Sequence, residues 1–313
     1  MPPRSSRQDP QRLTKLANAH RGVVTREQLS QAGFDSDAIR RRVQGGNWQT
    51  AGRTVVLHNG PLDPLTMQWV GVLNIRGLAG LTGRTAAKSF GLRGFEPSAV
   101  EIAVPRGTRL PRIPGIVWRE TCRFEVTDLV GGRQPPSVRP ARAVIDAATR
   151  SPSARIACAT VAAAVQQRIT TVRLLRAELA LAGRVKYRRH LNLVLADIEG
   201  GADSLAEIDF TRLARRAGLP PPIRQSVRLD RYGRRRYIDV DFGTFVVEVD
   251  GGIHLRPMNA WDDARRQNEL VLGGERVLRF PTIAIRLEEQ IVIEQLALAA
   301  RVFGYPTCKP ANV

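Results

Sequence analysis

From Tyr237 to Asp250 apolar and polar positions alternate with a period of two, on both sides of Gly243-Thr244. That period predicts strands, and glycine followed by a polar residue predicts a two-residue hairpin turn. Folding there sets Phe242 against Phe245, Val240 against Val247 and Asp239 against Glu248. One face then carries Ile238, Val240, Phe242, Phe245, Val247 and Val249; the other carries Tyr237, Asp239, Asp241, Val246, Glu248 and Asp250. Elsewhere helical spacing dominates. It predicts a helix over 12–19, a second from the capping box Thr25-Arg-Glu-Gln28 to Ala32-Gly33, and a third capped by Asp35 or Ser36 that stops at Gly45-Gly46. Trp48 to Leu57 alternates around Gly52 and predicts a small hairpin.

Further along, the pattern predicts helices over 66–81 and 86–92, strands over 100–104 and 115–118, and helices over 141–148, 154–167, 171–182 and 190–198. A second capping box, Ser204-Leu-Ala-Glu207, opens a helix closed by Gly218. After the acidic hairpin, a helix from Asp262 to Gly273-Gly274, a strand over 276–280 and a last helix over 283–302 are expected. The fold class expected is α+β and multidomain: a basic tail (1–10), a helical unit with a hairpin (11–62), a middle α+β region and helical connector (63–200), and a C-terminal α/β domain (201–313). The middle region offers no catalytic constellation, and Asp146 and His190 read there as surface or capping groups.

Composition adds a partner. The 313 residues are 43% hydrophobic and carry a net charge of +19. Residues 1–200 hold 31 basic and 14 acidic side chains, whereas 201–313 hold 17 and 15. A basic body beside a cluster of carboxylates suits a protein that holds nucleic acid and acts on it with a metal. The longest apolar run, 156–165, is too short for a bilayer, and the first ten residues lack the apolar stretch of a secretion signal. Cys122, Cys158 and Cys308 are too scattered for a disulfide framework or a zinc site. A cytoplasmic protein with no membrane partner is expected; oligomeric state is not specified.

The acidic face of the hairpin needs a reason, because like charges directly opposed destabilise a sheet. A divalent cation would remove that penalty, and Mg²⁺ or Mn²⁺ takes oxygen ligands. An ion-pair network with Arg234, Arg235 and Arg236 is the alternative. Asp241 reads as a solvent-rim residue, and Glu207 either as part of its capping box or as a further oxygen ligand.

Helix, helix, turn, helix, hairpin is the order of a winged helix-turn-helix, whose third helix would enter the major groove. The pattern Gly22-Val-Val-Thr25-x-x-Gln-Leu29, Ile39-x-x-x-Val43 and Gly46-x-Trp48 resembles the N-terminal domain of AbiEi-type antitoxins. The resemblance implies DNA binding, with Arg40, Arg41, Arg42 and Arg53 as contacts. That family's antitoxins oppose a nucleotidyltransferase, so a toxin is the protein partner the resemblance raises; this domain alone does not carry the role over.

The C-terminal third resembles the PD-(D/E)xK, restriction-endonuclease-like fold, and more closely a family of domains related to very-short-patch-repair endonucleases. The matching residues are Glu207, Asp239, Glu248-Val-Asp250-Gly251, His254, Asp263-x-x-Arg266-Gln-Asn-x-Leu270 and Val277-Leu-Arg-Phe280. The resemblance implies that Asp239 and Glu248 bind Mg²⁺ (or Mn²⁺), that Glu207 adds an oxygen, and that Asp250 is a further ligand or supports one. It also implies that His254 is a general acid or base, and that Arg266 contacts DNA phosphate or pins an acidic ligand. One residue departs from the motif: Asp250 stands where a lysine is usual. Two functions stay open, a metal-dependent DNA endonuclease and a non-catalytic DNA-binding regulator or antitoxin of a type IV toxin–antitoxin system.

Overall fold

The computed structural model describes residues 9–200, 203–229, 235–250, 272, 274 and 276–305. It is a mixed α and β structure that divides into two compact units, residues 1–147 and 148–313. Among the described residues no helix is long and apolar enough to cross a membrane.

The first unit opens with α1 (Pro10–Ala19), β1 (Val23–Thr25), α2 (Arg26–Gln31), α3 (Ser36–Gln44), β2 (Gln49–Ala51) and β3 (Thr54–Val56). Both expected caps form: Thr25 and Gln28 make a reciprocal capping box, and Asp35 accepts the Ala38 N–H at 2.7 Å. The hairpin β2–β3 forms as its alternation predicts. The short strand β1, unforeseen in the sequence, completes a sheet of order β1-β3-β2. Three residues are too few to show a period; β1 exists because β3 supplies its hydrogen-bond partners. Leu29, Phe34, Ile39, Trp48 and Val55 fill the core between helices and sheet.

A second sheet follows, with α4 (Pro64–Leu73), β4 (Gly80–Leu81), α5 (Gly83–Ser89), β5 (Val100–Pro105) and β6 (Ile116–Thr121). Asp63 caps α4: it accepts the Thr66 N–H and pairs with Arg21 at 3.0 Å, and these contacts hold its carboxyl down at about 2. The helix expected to reach residue 81 stops at Leu73, and Gly80 and Leu81 pair with β5 instead. Asn74 explains the stop. It is buried, and its amide donates to the carbonyls of Ala51 and Val70 and to Thr54 while accepting the Arg53 N–H at 2.6 Å. The β2–β3 turn is therefore tied to α4. Asp146 is another correction. Its side chain is 18% exposed, accepts from Thr82 at 2.6 Å and pairs with the buried Arg142, so it belongs to an internal ion network rather than to the surface.

Between the sheets of the two units in sequence run α6 (Pro140–Thr149), α7 (Ala154–Gln166), α8 (Val172–Leu181) and α9 (Arg188–Gly200). Arg188 caps the end of α8, donating to the carbonyls of Leu179, Ala182 and Gly183. Cys158 is buried on α7; burial first, and the charge of Asp197 second, push its thiol up to about 12, which removes it from metal or redox chemistry.

The second unit ends with α10 (Asp203–Arg216), β7 (Ile223–Leu229), β8 (Arg235–Asp241), β9 (Val246–Asp250), β10 (Val277–Pro281), α11 (Thr282–Leu287) and α12 (Glu289–Val302). Strand order is β10-β9-β8-β7; β7, β8 and β9 are antiparallel in turn, and β10 lies parallel to β9. Phe210 and Leu213 of α10 and Val292 and Leu296 of α12 pack on Val240, Phe245, Val247 and Phe280 of the sheet. The expected elements of this unit compare with the structure in three places. The helix expected after Ser204 is already formed at Asp203, while the side chains of Ser204 and Glu207 lie outside the described part of the structure. Strand β7, a segment to which the sequence pattern assigned no element, pairs along β8. The single helix expected over 283–302 breaks at Glu288, and Arg212 and Arg216 of α10 both grip Glu289 at the start of α12.

Candidate functional site

The acidic hairpin forms where its alternation places it. Val240 pairs with Val247, and the Phe242 N–H donates to the Phe245 carbonyl across Gly243-Thr244. Gly243 has φ of +82°, a conformation glycine adopts without strain. Phe242 and Phe245 stack at 4.9 Å and anchor the tip in the core. The two faces differ from the sequence reading in three places. Asp241 is 6% exposed rather than at the solvent rim, because its oxygens accept from Ser226 at 2.9 Å and from the Gly243 N–H at 2.7 Å. Val246 is as fully buried as Val247, so both faces of β9 are covered there. Ile238 leaves the main core and joins Val246 in a small second cluster that Val277 borders.

The regular β8–β9 ladder runs through Asp241 and Val246 and through Val240 and Val247, and no further. At the next step Asp239 turns its carboxylate onto the other strand and accepts the Val249 N–H at 2.9 Å. One oxygen of Asp239 is thereby fixed beside the backbone that carries Glu248. Val247 and Val249 flank Glu248 and join the core, so Glu248 points to the opposite face by strand alternation. Asp239 and Glu248 are both half-buried. Both side chains offer oxygen donors, the ligand type that Mg²⁺ or Mn²⁺ takes. Among the described residues, no group of three or more His, Cys, Asp and Glu side chains gathers closely enough to hold a metal. Asp250 ends β9 and Glu207 lies within α10, but their side chains lie outside the described part of the structure, as do His254 and Arg266 altogether.

One neighbour went unread in the sequence. Arg279 of β10 stands in register with Glu248. Its only sequence signal was membership of Val277-Leu-Arg-Phe280, which shows a strand but not which strand it pairs with.

In the first unit α3 carries the arginine run. Arg40 pairs with Asp37 one turn earlier. The Arg42 guanidinium lies 5.3 Å from the Phe34 ring and 4.9 Å from that of Trp48, which packs it against the core. Arg41 is exposed, with no side-chain hydrogen bond or ion pair among the described residues. Arg53 is exposed at the hairpin turn, whose backbone Asn74 holds. A cleft of about 310 Å³ beside α3 is lined by Arg26, Ser36, Arg40, Gln44 and Thr50. The three consecutive arginines thus have different tasks. If DNA is the partner that the net charge suggests, Arg41→Ala is expected to weaken its binding and reduce the logarithmic salt slope by about 0.9, with folding unchanged. Arg42→Ala is expected to lower stability by about 1 kcal/mol as well. Salt titrations and thermal melts of both variants check this; equal behaviour would refute the division.

No protein-family model matches the chain, and a search of curated proteins finds no relative of it.

Proposed function

We propose that the protein binds DNA through its N-terminal unit, folded as a winged helix-turn-helix, and hydrolyses DNA phosphodiesters with Mg²⁺ or Mn²⁺ through a C-terminal domain of the restriction-endonuclease-like class. The observation that carries the reading is the end of the β8–β9 ladder at Asp239, whose carboxylate crosses to β9 next to Glu248. A strand that gives up a ladder hydrogen bond to direct a carboxylate at its neighbour has a use for that carboxylate. The surplus of 17 positive charges over residues 1–200 supports a polyanionic partner.

Asp239 and Glu248 would hold the metal. When bound, the ion would polarise the scissile phosphate and make water a better nucleophile. The chain's own part is to fix the two carboxylates. The Val249 N–H orients Asp239, and the apolar neighbours Val247 and Val249, rooted in the core, orient Glu248. Arg41 and Arg53 would bind backbone phosphate, which sets register without reading sequence. The departure at Asp250 favours a second reading, a DNA-binding regulator in which the acidic hairpin is only structural.

Incubation with supercoiled plasmid, with and without Mg²⁺ or Mn²⁺, separates the two. Nicking that needs metal and is lost in Asp239→Ala/Glu248→Ala is the expected result. Retardation of the plasmid with no cleavage would select the regulator.

A further inference from the structure

We propose that Arg279 provides the positive charge missing at Asp250 and acts on the phosphate being cut; this rests on the nuclease reading above. The motif resemblance looks for its cation two positions after Glu248 on the same strand and finds an acid. The fold brings a cation to the same sheet face from the next strand, level with Glu248 rather than with Asp250, which pairs with Pro281. β10 runs parallel to β9, with Arg279 in register with Glu248 and Val277 with Val246. Adjacent strands lie about 4.8 Å apart. Leu278 and Phe280 pack into the core that holds Val247 and Val249, so Arg279 and Glu248 share the opposite face by alternation. The preceding pair confirms it, because Val246 and Val277 meet in the second cluster.

Arg279 is half-buried and its Nε is enclosed. Its charge therefore acts through less water than a surface arginine's. Beside Glu248 it offsets part of the repulsion between the two site carboxylates, and its planar fork suits phosphate oxygens. In hydrolysis the water oxygen bonds to phosphorus as the bond from phosphorus to the leaving sugar oxygen breaks. The water loses a proton to solvent and the leaving oxygen gains one. Negative charge builds on the non-bridging oxygens between those events, and Arg279, protonated throughout, stabilises it.

Wild type, Arg279→Lys and Arg279→Gln, each as the full chain, test this by Mn²⁺-dependent cleavage of a DNA duplex, Mn²⁺ calorimetry and thermal melting. Arg279→Gln is expected to lose at least about a hundredfold in kcat, with KM, Mn²⁺ affinity and melting temperature little changed. Arg279→Lys, which keeps the charge, is expected to recover most of that loss. Full activity in Arg279→Gln would overturn the role. So would a loss shared by both variants and matched by lost Mn²⁺ binding or a lowered melting temperature, which would mark Arg279 as structural. A wild type that cleaves nothing removes the nuclease reading and this role with it. An active wild type with an active Arg279→Gln removes this role alone.

Discussion

Glu248→Gln is expected to lower metal-dependent cleavage by at least about a hundredfold while DNA retention on a gel persists. The amide keeps the shape of the carboxylate and removes its charge, and replacing groups that merely support a metal ligand already costs about 10–100-fold. Glu248 is half-buried on the face opposite the core, so its neutralisation leaves Val247 and Val249 in place. Mn²⁺ calorimetry beside a cleavage time course measures both halves. Cleavage at the wild-type rate would remove Glu248 from the metal site. Loss of fold would make it a structural partner of β10.

The second large effect lies far along the chain from the carboxylates. Asn74→Ala is expected to destabilise the first unit by about 2–4 kcal/mol, because it strips partners from several buried and part-buried backbone groups at once. The Arg53 N–H loses its acceptor, the Val70 carbonyl loses the amide donor, and Ala51 keeps only Thr54. Asn74→Asp keeps an acceptor for Arg53 and loses both donors, so it is expected to recover less than half of the loss. Denaturation midpoints of the three proteins decide it. A change under about 0.5 kcal/mol in Asn74→Ala would show that the β2–β3 turn holds without α4. If DNA binding follows stability across the series, the hairpin that carries Arg53 works as a fixed element.

Local chemistry was legible in the sequence. The caps at Thr25 and Asp35, the turn at Gly243 and the register of Val240 with Val247 each depend on residues within a few positions of one another. Periodicity and capping report such short-range constraints directly. It was less reliable where a residue's partner lies far along the chain. Asp241 looked like one more exposed carboxylate, and the Ser226 hydroxyl on β7, a partner distant in the chain, helps the Gly243 N–H make its burial acceptable. The helix over 66–81 looked continuous until Asn74 was drawn into the hairpin of another sheet.

The amino-acid order by itself determined an α and β chain with a basic body and an acidic hairpin whose carboxylates sit on alternate positions. It could not determine which strands become neighbours. β1 is too short to carry a period, and β7 offers only an alternation between proline and arginine runs. Each acquires a place because an unpaired strand edge must find hydrogen-bond partners, and those come from distant segments. The same pairing decided the end of the ladder at Asp239 and the arrival of Arg279 beside Glu248. Parallel strands need a crossover, so their register depends on how a long segment packs rather than on any motif within it.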